Sequence, residues 1–299
     1  MEIALENIFA MYAIMLAAYG VQRVAPYSVK AVNDLVFHFF LPITVFYSIV
    51  KVPSFKPAAF LQMIVCSVLV LLLTFFLAQF IAGGLKLKGG FKRTFVLGAT
   101  YGNHAFLGIP VAYAFLGDSG SALSVFFLIG SYKFLYSIGY FIMTGRTTLI
   151  GFFKNPLVIS MGLGLLVAFL RLKLPPILLK SLSLVNQGTF PLSMVVVGGG
   201  LSFKFFGIGK KILHTLAAGS IKLVCAPALA YLVGIALSLS GEQTAICMLQ
   251  AAMATGVLVS VFSVKYEGDV VFSNALVSLT TLGSIVTVPM LLWVLDRLF

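Results

Sequence analysis

The segment Tyr101-Gly102-Asn103-His104-Ala105-Phe106-Leu107-Gly108-Ile109-Pro110 sets two glycines, an asparagine, a histidine and a proline in an otherwise apolar run. Glycine and proline are the poorest helix formers, so a break is expected across Gly102, Gly108 and Pro110. A second segment, Ala251-Ala252-Met253-Ala254-Thr255-Gly256-Val257-Leu258, is softer, with a single glycine and no proline. If both segments unwind and meet, the helices that restart beyond them aim free N–H groups and positive dipole ends at one point. That chemistry suits an anion. The expected site draws Tyr101, Gly102, Asn103 and His104 from the first segment and Ala254, Thr255 and Gly256 from the second. Ser131 and Ser284, in matching Gly-Ser pairs, are expected contributors, and Lys133 and Lys222 would add positive potential. The structural alternatives are close helix packing through small residues and lysines bonded to the carbonyls of a broken helix or snorkelling to an interface.

The elements that hold these segments follow from composition. Of 299 residues, 61% are hydrophobic and 9% charged, against about 25% charged in soluble domains. Mean hydropathy is +1.10. A soluble enzyme, a disordered chain and a DNA-binding domain are excluded, because too little polar surface exists to cover a water-soluble fold. The net charge of +12 is therefore read as an orientation signal rather than a nucleic-acid footprint. Ten apolar runs have spanning length, about 6–22, 29–50, 57–84, 91–117, 120–144, 155–171, 175–202, 207–239, 242–265 and 270–296. They are too uniformly apolar for barrel strands, so an all-α polytopic membrane protein is expected. Glu2 and Glu6 stand where a signal peptide would want a basic start. Twelve basic residues, Lys204 and Lys210 among them, fall in loops after odd-numbered runs and six, including Lys56, in the others. The basic side faces the cytoplasm, which puts both termini outside. Lys133 and Lys222 are left within runs, Lys222 some 16 Å past Lys211 at about 1.5 Å per residue. Cys66, Cys225 and Cys247 have no paired spacing, so neither a disulfide framework nor a metal site is expected.

The chain also repeats itself. Pro42 and Pro191 are 149 residues apart, Gly117-Asp118 and Gly268-Asp269 are offset by 151, and Gly130-Ser131 and Gly283-Ser284 by 153. Two units follow, 1–150 and 151–299. Each has five runs, an odd number, so the second must be inserted upside down relative to the first. If broken helices 4 and 9 cross at mid-membrane, Pro42 and Pro191 would bend their helices around the crossing. Inverted repeats of this kind build many secondary transporters, with the site between the repeats.

The run from Gly102 to Pro110 resembles the Asn…Gly-[Ile/Leu]-Pro signature of the auxin efflux carrier family, whose members include bacterial malate and malonate permeases and the plant PIN auxin exporters. Asn155-Pro156-Leu157, Pro191-Leu192-Ser193 with Gly198-Gly199-Gly200-Leu201, Lys222-Leu223-Val224 with Pro227, and Ala252-Met253 with Tyr266 are similar to its later helices in order. The resemblance implies a ten-helix fold like that of the bile-acid sodium symporters and carriage of small organic anions by alternating access. Two departures, Met253-Ala254 for Met-Pro and Leu258 for an asparagine, leave the second half of the crossing less polar. No cofactor is expected beyond a coupling ion, sodium or a proton, with Asp34, His104, Asn103 and Thr255 as candidate groups. The expected partners are an organic anion and the bilayer, without nucleic acid, and a homodimer is the assembly considered. Two rival readings are a receptor that binds without transporting and an intramembrane hydrolase built on Gly117-Asp118-Ser119-Gly120. The second lacks a base to serve Ser119.

Overall fold

The computed structural model describes residues 2–52, 57–202, 209 and 211–298, so Lys56, Lys204 and Lys210 of the charge pattern lie outside the described residues. The described residues are helical almost throughout, with one isolated backbone bridge and no named strand among them. In chain order the helices are α1 (Glu2–Val24), α2 (Val29–Leu35), α3 (Leu41–Val50), α4 (Pro57–Gly84), α5 (Gly89–Thr100), α6 (Ile109–Phe134), α7 (Tyr140–Thr144) and α8 (Ile150–Phe153). Then come α9 (Pro156–Phe169), α10 (Pro176–Gly199), α11 (Lys211–Ser220), α12 (Ala226–Ala236), α13 (Gly241–Ala251), α14 (Val257–Lys265) and α15 (Val270–Leu298).

Proline shapes several of them. Widened π turns at Val36–Phe40, His104–Gly108 and Ile221–Cys225 stand just ahead of Pro42, Pro110 and Pro227. A proline ring has no N–H for the carbonyl four residues back and clashes with it, and a widened turn relieves both problems without leaving backbone groups bare in an apolar medium. Pro191 differs, since it lies inside α10 with the helix continuing on both sides. Within α6 the backbone turns sharply at Leu116 and Gly117, where Gly117 has φ 61°. That turn carries Ser119, which is exposed and donates its hydroxyl hydrogen to the Leu116 carbonyl at 2.9 Å.

Six helical stretches among the described residues are long and apolar enough to cross a membrane. The other expected runs hold the shorter α9, the more polar α10, and the interrupted pairs around α5 and α13. The helices pack as two groups. In the first, α1 lies on α10, α10 on α2 and α3, and α3 on α9. The second gathers α4, α5, α6 and α11 to α15. Two glycines that echo in the sequence each pack closely on a neighbouring helical segment. Gly130 packs against Ser67 and Ile64 of α4, and Gly283 against Leu223 in the turn before α12. Thr44 and Thr189, each two residues from its proline, share a 2.7 Å hydrogen bond that ties α3 to α10.

Candidate functional site

The two interruptions meet. Helix α5 ends at Thr100 and α13 at Ala251, and the chain restarts as helix at His104 and Val257. Between them Gly102 and Thr255 form an antiparallel bridge. The Asn103 N–H donates to the Ala254 carbonyl at 2.7 Å, and the Gly256 N–H to the Tyr101 carbonyl at 3.0 Å. Each break thus satisfies backbone groups of the other, which is what allows extended chain in an apolar interior. The first break is shorter than expected. It ends at Asn103, while Gly108 closes the π turn packed against Gln250, and Pro110 sits in the first turn of α6.

A cavity of about 610 Å³ lies against this crossing, between the two helix groups. Its wall takes Val29, Lys30, Asn33, Asp34 and Phe37 from the α2 side, and Val196, Val197, Gly200 and Leu201 from the end of α10. The crossing adds Tyr101 to Phe106 and Gly256 to Leu258, with Tyr132, Ser260, Val261, Asn274, Val277 and Thr281 completing it. Both restarting helices present their first turns here. The opening N–H groups of a helix have no intrahelical acceptor and carry its positive dipole end. Asn103 precedes one of these helices, yet its side chain does not cap it. Although the residue is 5% exposed, its amide finds no hydrogen-bond partner among the described residues.

The expected residues divide into those that face the cavity and those that hold the crossing. Tyr101, Gly102, Asn103, His104 and Gly256 line it. Ala254 and Thr255 do not. The Thr255 hydroxyl donates to the Gly98 carbonyl at the end of α5, 2.9 Å away, and its N–H donates to Thr280 Oγ1 at 3.0 Å. Ser131 and Ser284 spend their hydroxyls on their own helices, donating to the Leu128 and Thr281 carbonyls, and Ser284 also accepts from the Tyr12 hydroxyl. Lys133 is exposed on the outside of its helix, away from the cavity wall. Lys222 is buried behind the crossing, its ammonium 2.6 Å from the Ala251 carbonyl. Of its sequence readings, the carbonyl-bonded one is what the structure holds. His104 Nε2 accepts from the Gly102 N–H at 3.2 Å, so the ring is neutral at that nitrogen and braces its own break. Asp34 lies on the cavity wall beside Asn33, on a helix separate from the crossing.

Sequence reasoning missed Asn33, Asn274, Ser260, Thr280 and Gln250. Asn274 immediately precedes Ala275-Leu276, which echoes Ala122-Leu123 at the same offset of 153 as the Gly-Ser pairs, and Gln250 is a bare amide in an apolar run next to the second break, so both left a trace. Gln250 is buried, donates to Ser124 Oγ at 2.7 Å and packs on Gly108.

Since Thr255 serves the fold, Thr255→Val should destabilise the protein by about 1–3 kcal/mol, the cost of stranding one buried carbonyl. Thermal unfolding in detergent would read this as a lower midpoint with ligand affinity retained. An unchanged midpoint with lost affinity would return Thr255 to the binding surface.

Two interrupted helices that cross beside a cavity, on a chain that repeats itself, are the construction of a membrane transporter. Residues 3–150 and again 145–292 match the family model described as a membrane transport protein, and the chain belongs to that family, which is auxin efflux carrier-like. An uncharacterized transporter of Methanocaldococcus jannaschii is 26% identical over 280 residues, spanning 89% of each chain. The protein is an integral, multi-pass membrane transporter.

Proposed function

We propose that the protein is a secondary carrier of small organic anions, working by alternating access with the cavity as its substrate site. The observation that carries this reading is that two helix N-termini and the unengaged amide of Asn103 share one cavity wall. A carboxylate there would accept from Asn103 and from N–H groups at His104 to Phe106 and at Val257 and Leu258. The volume is within the range of small-molecule sites, roughly 300–1,000 Å³. The rest of its wall mixes apolar residues, Phe37, Val196, Val197, Leu201, Val261 and Val277, with Lys30, Asn33 and Asp34 of the α2 side. The first set suits an apolar body and Lys30 offers a partner to a second carboxylate, so the reading takes in both mono- and dicarboxylates.

Because the cavity separates two helix groups, rocking of one against the other would move its opening between membrane faces. The antiparallel meeting of the breaks supports two inverted five-helix repeats and ten crossings. Lys30, on the cavity wall, belongs to the more basic side, so the cavity would open towards the cytoplasm with both termini outside.

The test is flux in proteoliposomes challenged with malate, malonate and indole-3-acetate, by current and by radiotracer. Saturable uptake of one acid supports the reading. Binding of an acid without flux by either method would replace it with the receptor reading.

A further inference from the structure

The crossing separates helix polarity. The cavity wall is drawn from residues 101 to 106 and 256 to 261, the side where helices restart. The last turns of α5 and α13, Leu97 to Thr100 and Met248 to Ala251, are not part of that wall, and their carbonyls carry the partial negative charge of the helix ends. The two ends are treated differently. At α5 the Gly98 carbonyl receives the neutral hydroxyl of Thr255. At α13 the Ala251 carbonyl receives the ammonium of Lys222 at 2.6 Å. Lys222 is 1% exposed, and its side-chain end also abuts the first break. A Cβ on Gly102 would come within 2.9 Å of Lys222 Cε and 3.0 Å of Nζ. The repeat offsets of 151 and 153 carry position 222 to between Leu69 and Leu71 of α4, an apolar stretch, so the first repeat has no such cation.

In transporters with interrupted helices, carbonyls of unwound chain and half-helix C-termini are the groups that coordinate a coupling sodium ion. Here that place is filled by a side chain. We propose that Lys222 is a tethered cation, a positioning residue that occupies the carbonyl side of the crossing permanently, so that the protein neither needs nor binds a free alkali cation there. The ammonium holds the end of α13 against Gly102 and keeps both restarting N-termini aimed at the cavity. The transport arm of the test rests on the carrier reading, whereas the cation arm does not.

The cation arm is thermal unfolding of the purified full chain in sodium chloride and in choline chloride at equal ionic strength. The wild type should unfold at the same midpoint in both. Lys222→Ala, which opens the seat, should unfold lower and regain stability with ethylammonium or sodium but not with choline. Lys222→Met, which keeps most of the volume, should unfold lower without ethylammonium recovery. In proteoliposomes, wild-type uptake should be equal in the two salts, and Lys222→Ala should lose about tenfold, recovering in part with ethylammonium. Sodium-specific stabilisation or sodium-dependent uptake of the wild type would overturn the proposal, and that arm decides even if both variants fail to fold. A folded Lys222→Ala with wild-type stability and no cation response would overturn it equally. Absence of flux for every acid, with the unfolding results as expected, would count against the carrier reading alone.

Discussion

Replacing Asn103 by alanine should lower apparent affinity for the transported acid by about 10–100-fold, the loss of one charge-assisted hydrogen bond of roughly 1.5–3 kcal/mol. Folding should be nearly untouched, for reasons particular to this position. Asn103 contributes its backbone to the crossing, its N–H to the Ala254 carbonyl and its own carbonyl to the N–H groups of Leu107 and Gly108. Its side chain caps no helix. Alanine retains every backbone bond and removes only the amide that faces the cavity. Uptake kinetics together with the unfolding midpoint check this. Parallel loss of stability and affinity would mean that the amide serves the fold.

Gly256→Ala should produce the opposite pattern, with stability and transport falling together. The backbone at Gly256 is extended, φ −70° and ψ 139°, so any residue could adopt it. The obstacle is proximity. A Cβ there would stand 2.8 Å from the Gly102 carbonyl oxygen, 2.8 Å from Tyr101 Cδ1 and 2.9 Å from its Cε1. Relief requires moving the backbone of the first break, which carries the Gly256 N–H bond to the Tyr101 carbonyl. Overpacking of this kind costs about 1–3 kcal/mol, and here it also pulls apart the pair of N-termini. Gly162, whose Cβ would meet nothing within 4 Å, is the control: Gly162→Ala should leave uptake and midpoint near wild type. Retained transport in Gly256→Ala would show that the crossing tolerates separation.

Much of the architecture was legible because the signals are local. An apolar run must satisfy its own backbone, so run length and proline placement fix the helices. The expected run 57–84 coincides with α4, and three of the four widened turns among the described residues sit ahead of Pro42, Pro110 and Pro227, while the fourth, Leu135–Gly139, has no proline after it. The first break was legible for the same reason, and Asn103 and His104 with it, whereas the second, with one glycine and no proline, was legible mainly through the repeat. Leu258, recognised as a departure from the polar pattern, does line the cavity and adds to its apolar wall.

What residue types do not encode is which way each side chain points once two helices meet. Ser131, Thr255 and Ser284 are hydroxyls at suggestive spacings, yet a hydroxyl in an apolar medium takes the nearest carbonyl, and all three did. Lys133 and Lys222 are the same residue type at similar depth in the sequence pattern. One faces outward and the other caps a broken helix, because only Lys222 is carried by a helix lying behind the crossing. The sequence by itself determined a helical membrane protein of two related halves with an interruption in each. Only the tertiary structure decided that the restarting N-termini share a cavity while a lysine holds the opposite side, because that division of charge exists only where the two chains cross.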